Sequence, residues 1–210
     1  MKKNIKIDEI VISEYISSGN NKVPRTTAIF NMGPAIECPS FKLGFCQAFR
    51  NGKHVCYAKK AERGCYPDVL PSRIRQKNYW KKISSKKFAN DFILLNSLKT
   101  KKYIALRFNE SGDFWSQKCL NKAENIAKIL SEHNVKVYCY SSRKDLDFSK
   151  IKYLIVSGSN FKKEGIKNIF KMIQKNEKVP KGYEICPGNC KICNRCMQKN
   201  KKLLLLVIDR

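Results

Sequence analysis

Four cysteines fall within the run Cys186-Pro-Gly-Asn-Cys190-Lys-Ile-Cys193-Asn-Arg-Cys196. Thiolates this close repel one another unless a cation offsets the charge, so the run reads as a metal-binding segment too short to fold unaided. The first three have CX3CX2C spacing and the last three CX2CX2C. The second spacing is that of ferredoxin-like runs, in which backbone turns aim successive sulfurs at one cubane. A structural zinc usually takes two separated CX2C knuckles. Ligand softness and spacing therefore favour an iron–sulfur cluster of the 4Fe-4S type, with zinc as the alternative.

Cys38, Cys46 and Cys56 form a wider set, CX7CX9C, with Cys65 beyond it. These are three ligands of a second site or the completion of the first. Cys119 and Cys139 lie in helix and strand patterns and read as buried apolar residues. His54 and His133 are the only histidines and form no HX3H pair. His54, beside Cys56, is an outside candidate ligand, and a hydrolase built on a histidine base has little support.

Carboxylates and small polar residues gather after apolar runs. Glu110 and Asp113 are placed to act as acid, base or magnesium ligand, or simply as helix caps. Arg107 would project from its strand end toward Asp113 or a substrate anion. With Ser111 these give the catalytic candidates Arg107, Ser111 and Asp113. Ser141, Ser157, Ser159 and Asn160 are the matching candidates for cofactor contacts. Arg73, Arg75 and Asn78 fit a phosphate contact or a packing contact equally well. Tyr57, Tyr66, Phe114, Trp115 and Tyr140 would stack on bases or fill the core.

These residues are positioned by a regular alternation. A strand is expected at 26–31, then helix from Ser72, where Ile74, Trp80, Ile83, Phe88, Phe92 and Leu95 recur on a period of about 3.6, with a break at Ser84-Ser85. Strands follow at Tyr103–Phe108, Val135–Tyr140 and Tyr153–Val156, with helices at Gln117–His133 and Lys163–Asn176 and a last buried strand at Leu203–Ile208. Alternating units of this length predict an α/β fold with a small parallel sheet, open or part of a barrel. Ligands in such folds gather at the C-terminal strand ends, here 109–113, 141–143 and 157–160.

The 210 residues suit one domain. It divides into an irregular lead-in (1–37), a cysteine-rich loop (38–66), a βα core (67–180), the cysteine cluster (181–200) and a terminal strand (201–210). The N-terminus carries no apolar signal region, and Leu203–Ile208 is too short to span a bilayer. The expected location is the cytoplasm, away from any membrane. In a reducing cytosol, ten cysteines point to metal rather than disulfides. The 43 Lys and Arg against 17 Asp and Glu give a formal charge of +26 and make nucleic acid the natural partner, although Lys dominates as an AT-rich genome would dictate.

The order Lys22-Val23-Pro24-Arg25-Thr26-Thr27, Cys38-Pro39, Cys46, Cys56-Tyr57-Ala58, Leu70-Pro71-Ser72-Arg73, Arg107, Ser111-Gly112-Asp113-Phe114 and the terminal cysteine run resembles the phage "gene product 88" domain family, from about Lys22 to the end. The resemblance implies a phage or prophage gene of the bacterial host and brings no defined reaction. Cys56-Tyr57-Ala58 is also similar to the third-cysteine region of radical S-adenosylmethionine enzymes, which implies a cluster able to bind that cofactor. Two functions follow as expectations. One is a radical-SAM-like iron–sulfur enzyme acting on nucleic acid. The other is a nucleic-acid-binding phage protein, for example in replication, whose zinc or iron–sulfur sites are purely structural.

Overall fold

The computed structural model describes residues 11–46, 49–50, 53–54, 56–174, 178–198 and 203–208, with the backbone alone given for 49–50, 53–54, 65, 174 and 203–208. The strands are β1 (Ser17–Ser18), β2 (Thr27–Phe30), β3 (Phe49–Arg50), β4 (Lys53–His54), β5 (Ala105–Phe108), β6 (Lys136–Ser141), β7 (Ile155–Ser159), β8 (Asn168–Gln174), β9 (Tyr183–Ile185) and β10 (Leu203–Ile208). The helices are α1 (Pro39–Lys42), α2 (Tyr57–Lys60), α3 (Val69–Lys82), α4 (Ser85–Leu98) and α5 (Gln117–Ser131).

Eight strands form one sheet in the order β1-β2-β5-β6-β7-β8-β10-β9. Only the β1–β2 pair is antiparallel. From β2 to β8 each new strand joins the same edge, so the C-terminal ends of β2, β5, β6 and β7 line up on one side. The register runs Ile29↔Arg107, Arg107↔Tyr138 and Tyr138↔Ile155.

Side chains alternate across a strand, so this register sorts them onto two faces. Ala28, Phe30, Leu106, Phe108, Val137, Cys139, Leu154 and Val156 join the main core beneath α3, α4 and α5. Phe30 meets Phe88 edge-on at 5.1 Å, and Trp80 meets Phe108 at 5.5 Å. Aromatic pairs of this kind contribute about 0.5–1.5 kcal/mol each beyond the area they bury. The opposite face carries Ala105, Tyr138 and Ile155, covered by Cys196 and Met197.

Two of the helices, α4 and α5, start at serine caps, while α3 begins at Val69 after Asp68 with no side-chain cap, three residues before the expected Ser72. Ser84 accepts from the Lys87 amide at 3.1 Å and Ser116 from the Cys119 amide at 3.3 Å. The expected break at Ser84-Ser85 is thus the cap between α3 and α4. The Lys122 ammonium, on α5, donates to the carbonyls of Trp80 and Ile83 and closes the end of α3.

Three regions differ from the sequence expectation. Residues 163–176 were expected as a helix; 168–174 form β8, the segment before it is loop, and 175–176 lie outside the described residues. Ile166, Ile169, Phe170 and Ile173 do recur at helical spacing, but β7 and β10 offer parallel partners on both sides and tertiary pairing overrides the local period. The third central strand is Ile155–Ser159, two residues later than Tyr153–Val156. The cysteine-rich loop contains regular pieces: the one-turn helices α1 and α2 and the β3–β4 hairpin.

Candidate metal centre and the strand-end hubs

Cys186, Cys190, Cys193 and Cys196 line a single cavity together with Pro24, Thr27, Tyr138, Pro187, Asn189, Asn194 and Met197. The floor is the sheet face opposite the helices, supplied by Thr27 of β2 and Tyr138 of β6. Backbone contacts seat the run there. The Cys190 amide donates to the Lys22 carbonyl at 2.9 Å, and the Asn168 side chain donates to the Gln198 carbonyl at 3.1 Å. Arg195 pairs with Glu184 of β9.

The sulfurs share one electrostatic environment. Burial pushes the Cys196 thiol up to about 11, against the Tyr140 hydroxyl that donates to its Sγ at 2.8 Å, and the three neighbouring cysteines raise it further. Burial also raises Cys190, with Arg107 opposing and Cys186 and Cys193 reinforcing. Among the described residues, no three His, Cys, Asp or Glu side chains converge closely enough to hold a metal ion as they stand. The donor set nonetheless suits a soft metal: four thiols on one cavity wall, with no carboxylate among them.

The N-terminal cysteines sit elsewhere. Cys38 precedes α1, Cys56 precedes α2, and both are half-buried, as is Cys46. Burial raises the Cys38 thiol to about 12, helped by the negative charge of Asp113 and then of Cys46. None of the three lines the C-terminal cavity. The side chains of His54 and Cys65 lie outside the described residues. Cys119 and Cys139 are buried, as their patterns imply, at 6% and 0% exposure.

At the strand ends, two buried carboxylates act as hubs. Asp113 accepts from four donors: the Ser40 hydroxyl at 2.6 Å, the Ser141 hydroxyl at 2.9 Å, and the amides of Ser142 and Phe114, each at 2.8 Å. It thereby ties α1 and the loops after β5 and β6 together. Burial still holds its carboxyl above the usual range, because these bonds only partly replace lost hydration. Arg143 extends the hub. It donates to the Phe114 carbonyl and forks onto Asp145 at 2.8 and 2.7 Å.

Glu62 accepts from the amides of Ala35 (2.7 Å) and Ile36 (3.1 Å), from Arg73 (2.7 Å) and from the Ser111 hydroxyl (3.2 Å). Arg73 also donates to the Ala58 carbonyl at 2.9 Å. Of the two readings of Arg73, the packing contact is the one observed. Gly112 has φ of +75°, and a Cβ there would lie 2.7 Å from the Gly33 carbonyl oxygen, so only glycine lets the loop after β5 close against the loop after β2.

Arg107 does not meet Asp113, whose four donors are those above. It lies 3.9 Å from Glu110 and 5.5 Å from the centre of the Tyr140 ring, on the cysteine side of the sheet. Its Nε, the Ser157 hydroxyl, the Thr27 hydroxyl and both side-chain polar atoms of Asn109 are buried without a hydrogen-bond partner among the described residues. Ser141 is committed to Asp113, Ser159 is half-buried and Asn160 is exposed with φ of +63°. The loop residues expected to share one pocket are therefore divided between a filled hub and the sheet face opposite the helices. Sequence reasoning missed Ser40, Glu62 and the contact of Tyr140 with the Cys196 thiol. The alternation Val137-Tyr138-Cys139-Tyr140 carried a usable signal, since both tyrosines must share a face.

No curated protein matches the chain, and no solved structure does. The radical S-adenosylmethionine likeness finds no support in the comparisons. A family model matches residues 11–161, which takes in Cys38, Cys46, Cys56 and both carboxylate hubs; it begins before Lys22, where the resemblance read from the sequence starts, and stops before the four-cysteine run that the resemblance covers. With more than half its length matched, the chain belongs to the phage family described as Gene product 88.

Proposed function

We propose that this Gene product 88 protein is an iron–sulfur protein whose cluster is held by Cys186, Cys190, Cys193 and Cys196. The observation that carries the reading is that these four thiols, spaced CX3CX2CX2C, line one cavity on the sheet face opposite the helices. A cluster held there would accept and return single electrons. Around it, Tyr140 donates to one sulfur, Arg107 supplies positive charge, and the Lys22 carbonyl fixes the turn at Cys190. Cys38, Cys46 and Cys56 are proposed as a second, separate thiol site, since they lie in the matched region and away from the first cavity.

The test is an anaerobic preparation with iron, sulfide and zinc analysis and a visible spectrum, repeated on Cys190→Ala and Cys46→Ala. Broad thiolate-to-iron charge transfer, with partial iron loss in each variant, supports two sites. It also justifies an assay for S-adenosylmethionine cleavage after reduction, with Ser157, Ser159 and Asn160 as the residues to vary. Colourless protein with stoichiometric zinc overturns the cluster reading.

One further observation favours a second reading. A charge of +26 favours a polyanionic partner, so a nucleic-acid-binding phage protein with structural zinc is the alternative that the zinc result would select.

A further inference from the structure

We infer that Arg107 and Asn109, at the C-terminal end of β5, bind a small oxyanion, the carboxylate or phosphate group of a ligand. The inference does not depend on what the cysteines hold. Among the described residues, six buried side-chain polar atoms have no hydrogen-bond partner, and five of them belong to Thr27, Arg107, Asn109 and Ser157. The sixth is the Tyr79 hydroxyl, on α3 in the helix layer. By register and alternation, Thr27, Arg107 and Ser157 share the sheet face opposite the helices, and Asn109 follows Arg107 by two residues. A folded protein pairs nearly all its buried polar groups, because an orphan forfeits its hydration without replacement. A single water suffices for a lone hydroxyl such as Thr27 or Ser157. Arg107 demands more, because it carries a charge into the interior.

The Arg107 side chain is 14% exposed. Glu110 is the one carboxylate close to it among the described residues, at 3.9 Å, which is too long for a hydrogen bond, and Glu110 already accepts from the Asn20 side chain. The other groups around the guanidinium are the phenols of Tyr57, Tyr138 and Tyr140. Burial pushes all three up, and Arg107 is the charge that opposes it, so they stay neutral at pH 7 and do not pair the cation. The Nε and one Nη of a guanidinium form the edge that holds a carboxylate or phosphate through two parallel bonds, and here the Nε of that edge is the orphan. Asn109 is 6% exposed, with both side-chain polar atoms orphaned and φ of +57°, a conformation asparagine tolerates. Its NH2 adds a neutral donor to the charged one, and its Oδ1 is left to accept from an O–H or N–H beside the anion. The Tyr57 hydroxyl donates to the Glu110 carbonyl at 2.6 Å and holds α2 over this strand end, where ligands of parallel sheets gather. Glu110 opposes an incoming anion, but its distance from the guanidinium and its bond to Asn20 blunt that effect, and the charge of +26 draws anions in.

The experiment titrates the full chain with inorganic phosphate and, separately, with acetate, each exchanged against chloride at constant ionic strength so that general attraction to the basic surface is held fixed. The readouts are the melting temperature and the ¹⁵N–¹H cross-peak of the Arg107 Nε–H, identified by its absence from Arg107→Lys. We expect a saturable shift of that cross-peak with a saturable rise in melting temperature. Arg107→Lys keeps the charge and loses the planar fork, and should bind about tenfold more weakly. Asn109→Asp keeps the shape and the backbone preference, sets a negative charge where a donor was, and should abolish binding. Arg75→Gln, on the exposed face of α3, lowers the total charge and should bind as wild type does. Binding driven by charge alone predicts the reverse order for Arg107→Lys and Arg75→Gln. Should Arg107→Lys fold poorly by circular dichroism, Asn109→Asp decides by its melting response. Tighter binding of phosphate assigns the site to a phosphate group and tighter binding of acetate to a carboxylate, and either supports the inference. A cross-peak that neither anion moves, or equal affinity in wild type, Arg107→Lys and Asn109→Asp, overturns it and leaves the reading of the cysteines untouched.

Discussion

Asp113 accepts two backbone amides and two serine hydroxyls, and these two kinds of donor respond differently to substitution. In Asp113→Asn a hydroxyl can turn to become an acceptor, but an amide N–H cannot. One N–H then faces an NH2 group or loses its partner, which costs about 1–3 kcal/mol. Urea unfolding should show that loss. It should be deeper in Asp113→Ala, where both amides are orphaned. Glu62→Ala should be the most damaging of the hub variants, at about 3–5 kcal/mol, because it strands the buried Arg73 guanidinium. The paired change Glu62→Gln with Arg73→Met should recover part of it. Asp145 gives the pH-dependent case. Its fork with Arg143 lowers its pKa below the ordinary 3.8, so its stabilisation is present above that value and is lost as pH falls through the lowered pKa. Asp145 is about one-third exposed, so Asp145→Asn should cost less than about 1 kcal/mol at pH 7. The gap from wild type should close below about pH 4, as read by thermal melts across pH. Ser111-Gly112-Asp113 was legible as chemically loaded from the sequence. Its partners Ser40 and Glu62 were not, since they arrive from 73 and 49 residues away and no local pattern marks them.

At the scale of elements, β2, β5, β6 and the three long helices were legible because their apolar periods, and for α4 and α5 their serine caps, agree with their tertiary surroundings, and β10 was legible as an unbroken apolar run. β8 was not, because its helical period is real and only the presence of β7 and β10 decides against it. β1 and β9, with two and three residues, are too short to leave a pattern. The long β6–β7 connection has no helix of its own and is tied down by side chains from outside it, Gln117 on the Asp147 backbone, Lys163 on the Lys144 and Leu146 carbonyls, and Glu124 at its end. Glu124, on α5, accepts from the amides of Lys152, Tyr153 and Leu154 at 2.8–3.2 Å. Without it, the amides of 152–154 lose their polar anchor on α5, and Leu154 and Val156 are left to hold the strand start by packing alone. Glu124→Gln should cost about 1–2 kcal/mol in urea unfolding, since one carboxylate oxygen becomes a donor facing donors. Hydrogen exchange should quicken at 152–154 before it does in β6 or β7.

The whole molecule joins a family-matched unit, residues 11–161, to a C-terminal piece that covers it. The matched unit alone would leave Ala105, Tyr138 and Ile155 without the Cys196 and Met197 cover, and β7 without its partner β8. That cover carries the thiols, whereas the charge of +26 belongs to the chain as a whole, so the two properties should separate experimentally. Binding of a short mixed-sequence duplex, followed by fluorescence anisotropy, should be sequence-blind. If it neutralises roughly six to ten phosphates, it should weaken about 10³–10⁵-fold between roughly 50 and 200 mM salt. The slope of log K against log salt counts the phosphates contacted. Thiols make no such contact, so Cys190→Ala should lose metal and keep the wild-type slope. A slope that collapses in Cys190→Ala would show that the metal organises the basic surface. Absence of binding at low salt would assign the positive charge to lysine-rich composition alone.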